Sequence, residues 1–301
     1  MEPHYPYFSI IIPTYRRPRQ LAACLQSLAG LEYPSNRFEA IVVDDGGDGP
    51  IDEVVTPVGT PLQVTLLRTR HSGPSGARNA GAAEAQGEYL VFTADDCMPA
   101  TSWLSALATR LAADPECAVG GRLINALPDN TYSTATHLLI EYLCAYYNAL
   151  PGTAHFFTPN NLTIPAEGYR AIGGFDESFA TATGEDREFC DRWTRQGYRM
   201  VYAPEVLVSH AHPLTFRTFV TQHFNYGRGT FRYRKMQAQL KRRSMSLEPA
   251  PFYLHLLHAS RSEARTFRKI WLSLLLGISQ VANAVGFFWG GGGSLVARFR
   301  P

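Results

Sequence analysis

The chain has 301 residues, is 45% hydrophobic and 18% charged, and carries a formal net charge of +2. That balance excludes a disordered tail, and its near neutrality gives no global electrostatic case for nucleic acid. Five cysteines (Cys24, Cys97, Cys117, Cys144 and Cys190) stand singly with no C-x-x-C pair, which argues against a disulfide framework or a cysteine zinc site and fits a reducing compartment.

The opening "MEPHYPYFSIIIP" has no basic start leading into an apolar run, so no secretory signal is expected and the main body is placed in the cytosol. "YFSIIIPTY" is a short β-branched run stopped by Pro13 and predicts a buried strand. "PRQLAACLQSLAGL" follows as a helix, with Leu21, Leu25 and Leu28 on one face and Pro18 near its start. "FEAIVVDDGGDG" predicts a second buried strand ending in Asp44, Asp45 and glycines, and "LQVTLLRT" a third. "SGPSGARNAGAAEAQG" is a Gly-rich turn running into an Ala-rich helix; "YLVF" is a fourth strand, and a helix is expected from about Pro99 to Ala112. This alternation predicts an α/β core with a mainly parallel sheet. In such sheets ligands bind outside the carboxyl ends of the strands, where three of these four carry polar residues (Thr14-Tyr15, Asp44-Asp45 and Asp95-Asp96) and the third strand leads to His71 and the Gly-rich turn.

The fourth strand ends in two adjacent carboxylates, Asp95 and Asp96. Two like charges at the mouth of a hydrophobic strand need a positive partner. A divalent cation, Mg²⁺ or Mn²⁺, bound to a diphosphate would supply it; capping of the following helix is the plainer alternative. Asp44 and Asp45 suit hydrogen bonds to a base or ribose, or an Asp-Gly turn. "HSGPSGARNAG" offers backbone amides at a helix start and the cation Arg78, both suited to a phosphate. Glu185 and Asp186 fall in the first turn of a later helix, where acids favour the dipole; Asp186 facing the crevice could instead take a proton from a hydroxyl. His210 and His212, two apart in "VSHAHP", share a face if that stretch is extended, and one of them could complete a cation's coordination. A G-x-G-x-x-G fingerprint is absent after the first strand, which argues against a dinucleotide oxidoreductase. The same place lacks the Gly-rich basic loop expected of a sugar-nucleotide pyrophosphorylase.

In order, "SIIIPTYRRPRQLAACLQSL", "FEAIVVDDGGD", "SGPSGARNAGAAEAQGEYLVFTADDCMP", "NNLTIPAEGYRAIGGFDESF", "GEDREFCDRWTRQGYR" and "VSHAHP" resemble the family 2 glycosyltransferases, inverting enzymes of the GT-A fold. The resemblance implies a Rossmann-like sheet flanked by helices over residues 1–213, with a nucleotide-sugar half (1–98) and an acceptor-side half (99–213). It implies metal-dependent transfer of a sugar, from a UDP-sugar for preference, to a hydroxyl of a glycan or lipid-linked acceptor of the cell envelope. On this reading Pro13, Thr14, Tyr15, Asp44 and Asp45 hold the nucleoside, and Arg78 and Asn79 lie beside the diphosphate or ribose. Asp95 contacts the sugar or ribose, Asp96 and His210 hold the cation, and Asp186, beside Glu185, is the base. Thr93 and Ala94 stand where the family commonly has further acids. That departure keeps a catalytically silent sugar-nucleotide or nucleic-acid binding module as the alternative.

Residues 214–301 predict a helical extension. Between Gly227 and Ser244 there are seven basic residues (Arg228, Arg232, Arg234, Lys235, Lys241, Arg242 and Arg243) and no acid. Ile270 to Trp289 is a charge-free run of twenty residues preceded by Arg261, Arg265, Arg268 and Lys269, and as a helix it would be about 30 Å long. A bilayer span, a helix lying in the interface and a helix packed on protein all fit it. The preceding cations favour association with a cytoplasmic membrane face.

Overall fold

The computed structural model describes residues 5–47, 49–55, 62–150, 154–179, 183–242, 245, 248–259 and 266–296. Of the basic residues singled out above, Arg243, Arg261 and Arg265 lie outside the described residues. The chain opens with β1 (Phe8–Thr14), α1 (Pro18–Ala29), β2 (Phe38–Asp44), α2 (Ile51–Val55), β3 (Val64–Arg68), α3 (Gly73–Glu84) and β4 (Tyr89–Phe92). These strands form a parallel unit, with β1 between β2 and β4 and β3 outside β2. Period-2 alternation divides the core between the two sheet faces. Phe8, Ile10 and Ile12 pack with the predicted Leu21, Leu25 and Leu28 of α1. Ile11 faces the other way, in the cluster that holds Ala77, Phe189 and Trp193.

The second half adds antiparallel pairs to the mainly parallel sheet. It comprises β5 (Cys97–Pro99), α4 (Trp103–Ala113), β6 (Ala118–Asn125), α5 (Thr131–Tyr147), β7 (Leu162–Pro165), α6 (Ala166–Ala171), α7 (Glu185–Arg195) and β8 (Met200–His210). The eight strands form one mixed sheet in the order β3-β2-β1-β4-β7-β6-β8-β5. β7 is antiparallel to both β4 and β6, and β5 is antiparallel to β8, while β6 stays parallel to β8. Only Thr93 to Asp96 separate β4 from β5, too few for the crossover that would lay β5 parallel beside β4. β5 instead pairs with the end of β8, Cys97 opposite His210, and the far end of the sheet returns beside the end of β4. The helix expected from Pro99 begins later, at Trp103, with Ser102 at its N-cap. Asp95 and Asp96 therefore do not cap it.

The extension forms α8 (Phe216–Lys241), α9 (Ala250–Leu257) and α10 (Thr266–Val296). α10 lies along α8 in the same direction: Phe219 clusters with Leu272 and Leu275, Gly227 meets Asn283, and Phe231 meets Gly290. The contact is close enough that a Cβ on Gly286 would stand 1.9 Å from the Phe224 carbonyl oxygen. Ala135 of α5 joins the same cluster and ties the pair to the sheet domain.

Candidate active site

The short return from β4 to β5 builds the centre of the site. Asp95 and Asp96 are 4% and 6% exposed. The β5–β8 pairing, continued by the Ala211 N–H donating to the Asp96 carbonyl at 2.8 Å, carries the end of β8 onto Asp96. His210 Nε2 stands 3.2 Å from Asp96 Oδ1, and His212 Nδ1 stands 3.2 Å from Asp96 Oδ2. One donor atom from each of the three residues falls within 4.8 Å of the others. Both histidines meet Asp96, His212 as closely as the His210 expected to hold the cation.

The partners of the two rings bear on what they can bind. The Asn160 side-chain amide approaches His210 Nε2 at 3.3 Å, and Gln222 Oε1 approaches His212 Nε2 at 3.1 Å. Each ring therefore presents to Asp96 a nitrogen that can donate a hydrogen bond to the carboxylate when protonated and can take a metal ion when not. The donor set of two imidazoles and one carboxylate fits a divalent cation, and its nitrogens suit Mn²⁺ better than Mg²⁺. Burial alone would raise the Asp96 carboxyl, but hydrogen bonds from His210 and His212 outweigh it and hold the group well below the carboxylate range.

Asp95 accepts from Thr14 Oγ1 at 2.8 Å and from Arg17 Nη1 at 3.3 Å, and the same Arg17 nitrogen lies 3.2 Å from Asp96 Oδ2. Arg17 is thus the cation that faces both carboxylates. Nothing in the local pattern singles it out from its neighbours Arg16 and Arg19. Burial still raises the Asp95 carboxyl, against the opposing charge of Arg17.

Asp186 opens on the same cavity as Asp96, His210 and His212, a space of about 340 Å³ that Arg17, Arg78 and Glu185 also line. Gly184, at φ +94°, turns the chain into α7 and places Asp186 in its first turn. Burial, and then the neighbouring Glu185 charge, push the Asp186 carboxyl up to about 6. Glu185 itself is paired with Arg78 Nη1 at 3.2 Å, both side chains being buried. The far wall belongs to α5 and the extension, with Leu139, Ile140, Leu143 and Tyr147 facing Phe252, Tyr253, Gln280 and Asn283.

The remaining predicted residues stand outside this cavity. Pro13 and Thr14 end β1, and Tyr15 stacks on His71 with ring centroids 4.4 Å apart. Asp44 Oδ1 accepts from the Gly47 N–H at 3.0 Å, the Asp-Gly turn geometry. The Asp45 carboxylate accepts from the N–H groups of Ser72 and Gly73 at 2.8 and 2.9 Å. It therefore takes two of the amides that the Gly-rich turn could offer a phosphate. Asn79 clamps the Gly-Gly-Phe turn: its amide donates to the Phe175 carbonyl at 2.9 Å, and its oxygen accepts from the Tyr169 hydroxyl at 2.6 Å.

The sequence matches the family model described as glycosyl transferase family 2 over residues 9–173. The chain belongs to this family. A second model, glycosyl transferase family group 2, matches residues 93–296 and so includes the extension. Among similar proteins, the pre-mycofactocin glycosyltransferase of Mycobacterium tuberculosis is 28% identical over 225 residues, 73% of this chain and 46% of that protein. Glycosyltransferase AglE of Haloferax volcanii is 25% identical over 233 residues, 74% of this chain and 73% of its own length. The chain thus spans about half of the mycobacterial relative. Among solved structures, the mannosyltransferase PcManGT of Pyrobaculum calidifontis, in complex with GDP-Man and Mn²⁺, superimposes with a TM-score of 0.59 at 20% identity, over 99% of this chain and 82% of that one. Staphylococcus aureus TarS 1-349, in complex with UDP-GlcNAc, gives 0.53 at 17% identity over 93% of this chain and 89% of its own. The architecture is that of the GT-A glycosyltransferases.

Proposed function

We propose that this family 2 chain transfers a sugar from a nucleotide-diphosphate sugar to an acceptor hydroxyl, with inversion and with a divalent cation. The observation that carries the reading is the shared cavity: a carboxyl raised to about 6, on Asp186, faces the same space as the Asp96–His210–His212 cluster. A carboxylate in that range is ionised at neutral pH yet basic enough to accept a proton in the transition state. Glu185 is committed to Arg78, which leaves Asp186 as the base. Asp96, His210 and His212 would hold the cation. A bound cation would offset the charge growing on the departing diphosphate. Thr14, through Asp95, ties the end of β1, where the nucleoside half of the site begins, to that cluster.

GDP-Man in PcManGT and UDP-GlcNAc in TarS are both accommodated on this fold, so UDP-sugars come first in a screen that also holds GDP- and dTDP-sugars. The aliphatic and aromatic wall from α5 and α9 suits an acceptor with an apolar body, such as a lipid-linked glycan. α10 turns Phe267, Ile270, Leu274, Val281, Val285 and Phe288 outward, with exposures between 53% and 84%. An exposed apolar stripe of this length fits the plane of a membrane interface, and its packed inner face favours that arrangement over a full span. We place the chain at a cytoplasmic membrane surface on this basis.

The test is release or transfer of sugar from each donor with Mn²⁺, with Mg²⁺ and with EDTA. Turnover that needs the metal supports the reading. No turnover and no saturable donor binding with any nucleotide sugar would leave only the fold.

A further inference from the structure

Arg17 is the most exposed member of the site. Its side chain is 45% exposed, whereas those of Asp95 and Asp96 are 5%, His210 is 13% and His212 is 23%. It reaches the carboxylates from a turn in which Arg16 adopts φ +57°, a left-handed conformation uncommon for a side chain of this size. Its Nη1 and the His212 Nδ1 both approach one oxygen, Asp96 Oδ2, at 3.2 Å. A divalent ion held between that oxygen and that nitrogen would sit within a few ångströms of the guanidinium, and the two cations would repel in a poorly solvated site.

We infer that Arg17 is an exchangeable counter-ion: it neutralises Asp95 and Asp96 before loading, gives up Asp96 to the divalent cation, and turns to the diphosphate that arrives with it. The geometry permits the exchange because the guanidinium sits on a long, half-exposed stem. Asp95 keeps its hydrogen bond from Thr14 when Arg17 leaves. Arg17 also lines the cavity that Asp96 and Asp186 share, so the released charge remains where phosphate oxygens bound to the cation would lie. Arg17 thereby opposes binding of the cation alone and favours its binding together with a diphosphate. This rests on the reading that Asp96, His210 and His212 hold the cation.

The experiment is Mn²⁺ titration of the whole chain, by calorimetry or by electron paramagnetic resonance of the free ion, with and without inorganic pyrophosphate. Arg17→Met is expected to bind Mn²⁺ alone about tenfold more tightly than the wild type, the scale of two partly exposed ion pairs. Arg17→Lys keeps the charge and should stay near the wild type. Pyrophosphate should tighten Mn²⁺ binding by a larger factor in the wild type than in Arg17→Met. Equal or weaker Mn²⁺ binding by Arg17→Met, with cooperative melting intact, overturns the role of Arg17. If Arg17→Met does not fold, Arg17→Gln serves the same comparison. Asp96→Asn separates the two claims: it should abolish Mn²⁺ binding, and retention would overturn the cation site itself. A wild type that binds no Mn²⁺ in either condition would remove both.

Discussion

Arg78 Nη1 lies 3.2 Å from Glu185 Oε1, with each side chain only 7% exposed, so a residue of α3 neutralises the acid that begins α7. Removing one partner of a buried pair leaves the other charge uncompensated, at a cost of about 3 kcal/mol. Arg78→Met is expected to lower stability on that scale in chemical denaturation. Arg78→Met combined with Glu185→Leu should recover most of the loss, because no unpaired charge then stays buried. Arg78 also holds the Asp186 carboxyl down, so Arg78→Met should move the acid limb of activity to higher pH. Unchanged stability in Arg78→Met would show that the pair is solvated.

Asp186 gives two predictions of opposite sign. As the base it must be ionised, so kcat/KM should rise with pH and reach half its plateau near pH 6. Its carboxyl is raised from 3.8 to about 6, so between those values the folded chain holds a proton that the unfolded chain has released. Stability therefore falls as pH rises through this window, by up to about 3 kcal/mol above it. Asp186→Asn removes that penalty and should be more stable than the wild type at pH 7. It should keep donor affinity yet lose at least about a hundredfold in transfer. A variant that transferred normally would exclude Asp186 as the base.

Gln222 Oε1 holds the far side of the His212 ring at 3.1 Å, and its amide in turn donates to the Tyr226 hydroxyl at 2.5 Å. Gln222→Leu keeps the bulk but removes the acceptor at Nε2, and should weaken Mn²⁺ binding roughly tenfold, as is usual for partners of metal-ligating histidines. His210→Ala and His212→Ala should each weaken it further. If only His210→Ala had an effect, the cation would rest on a single imidazole. Mn²⁺ should also support more activity than Mg²⁺ at equal concentration.

Local pattern carried much of this arrangement and missed what depends on distant register. β1, β2 and β4 are legible because nearly every position in them is buried, on both faces of the sheet. Asp96 stands out as a charge at a strand mouth. The His-x-His spacing marks His210 and His212 as candidates, but that both meet Asp96 depends on Cys97 pairing with His210 across more than a hundred residues, and short segments do not encode such pairings. Arg17 escapes for a similar reason: which of several adjacent arginines turns inward is decided by the left-handed Arg16. The length and apolarity of α10 were evident, but the faces were not. Leu272, Leu275 and Leu276 are fully buried there, while Leu274 between them is 54% exposed. Side-chain size alone cannot distinguish a contact with protein from one with lipid.

The outward face of α10 yields the last prediction. Phe267 is 84% exposed and Phe288 71%, and each would gain about 2 kcal/mol on entering an apolar phase. The wild type should float with vesicles containing anionic lipid. Phe267→Ser with Phe288→Ser should reduce that partition at least tenfold without moving the melting temperature, since neither ring is buried in the fold. Gly286→Leu is the contrasting variant: its side chain would collide with the Phe224 carbonyl, part α10 from α8 and lower the melting temperature instead. If the double serine variant floated as well as the wild type, the stripe would not be the membrane face. If it melted early, the stripe would be packed against protein.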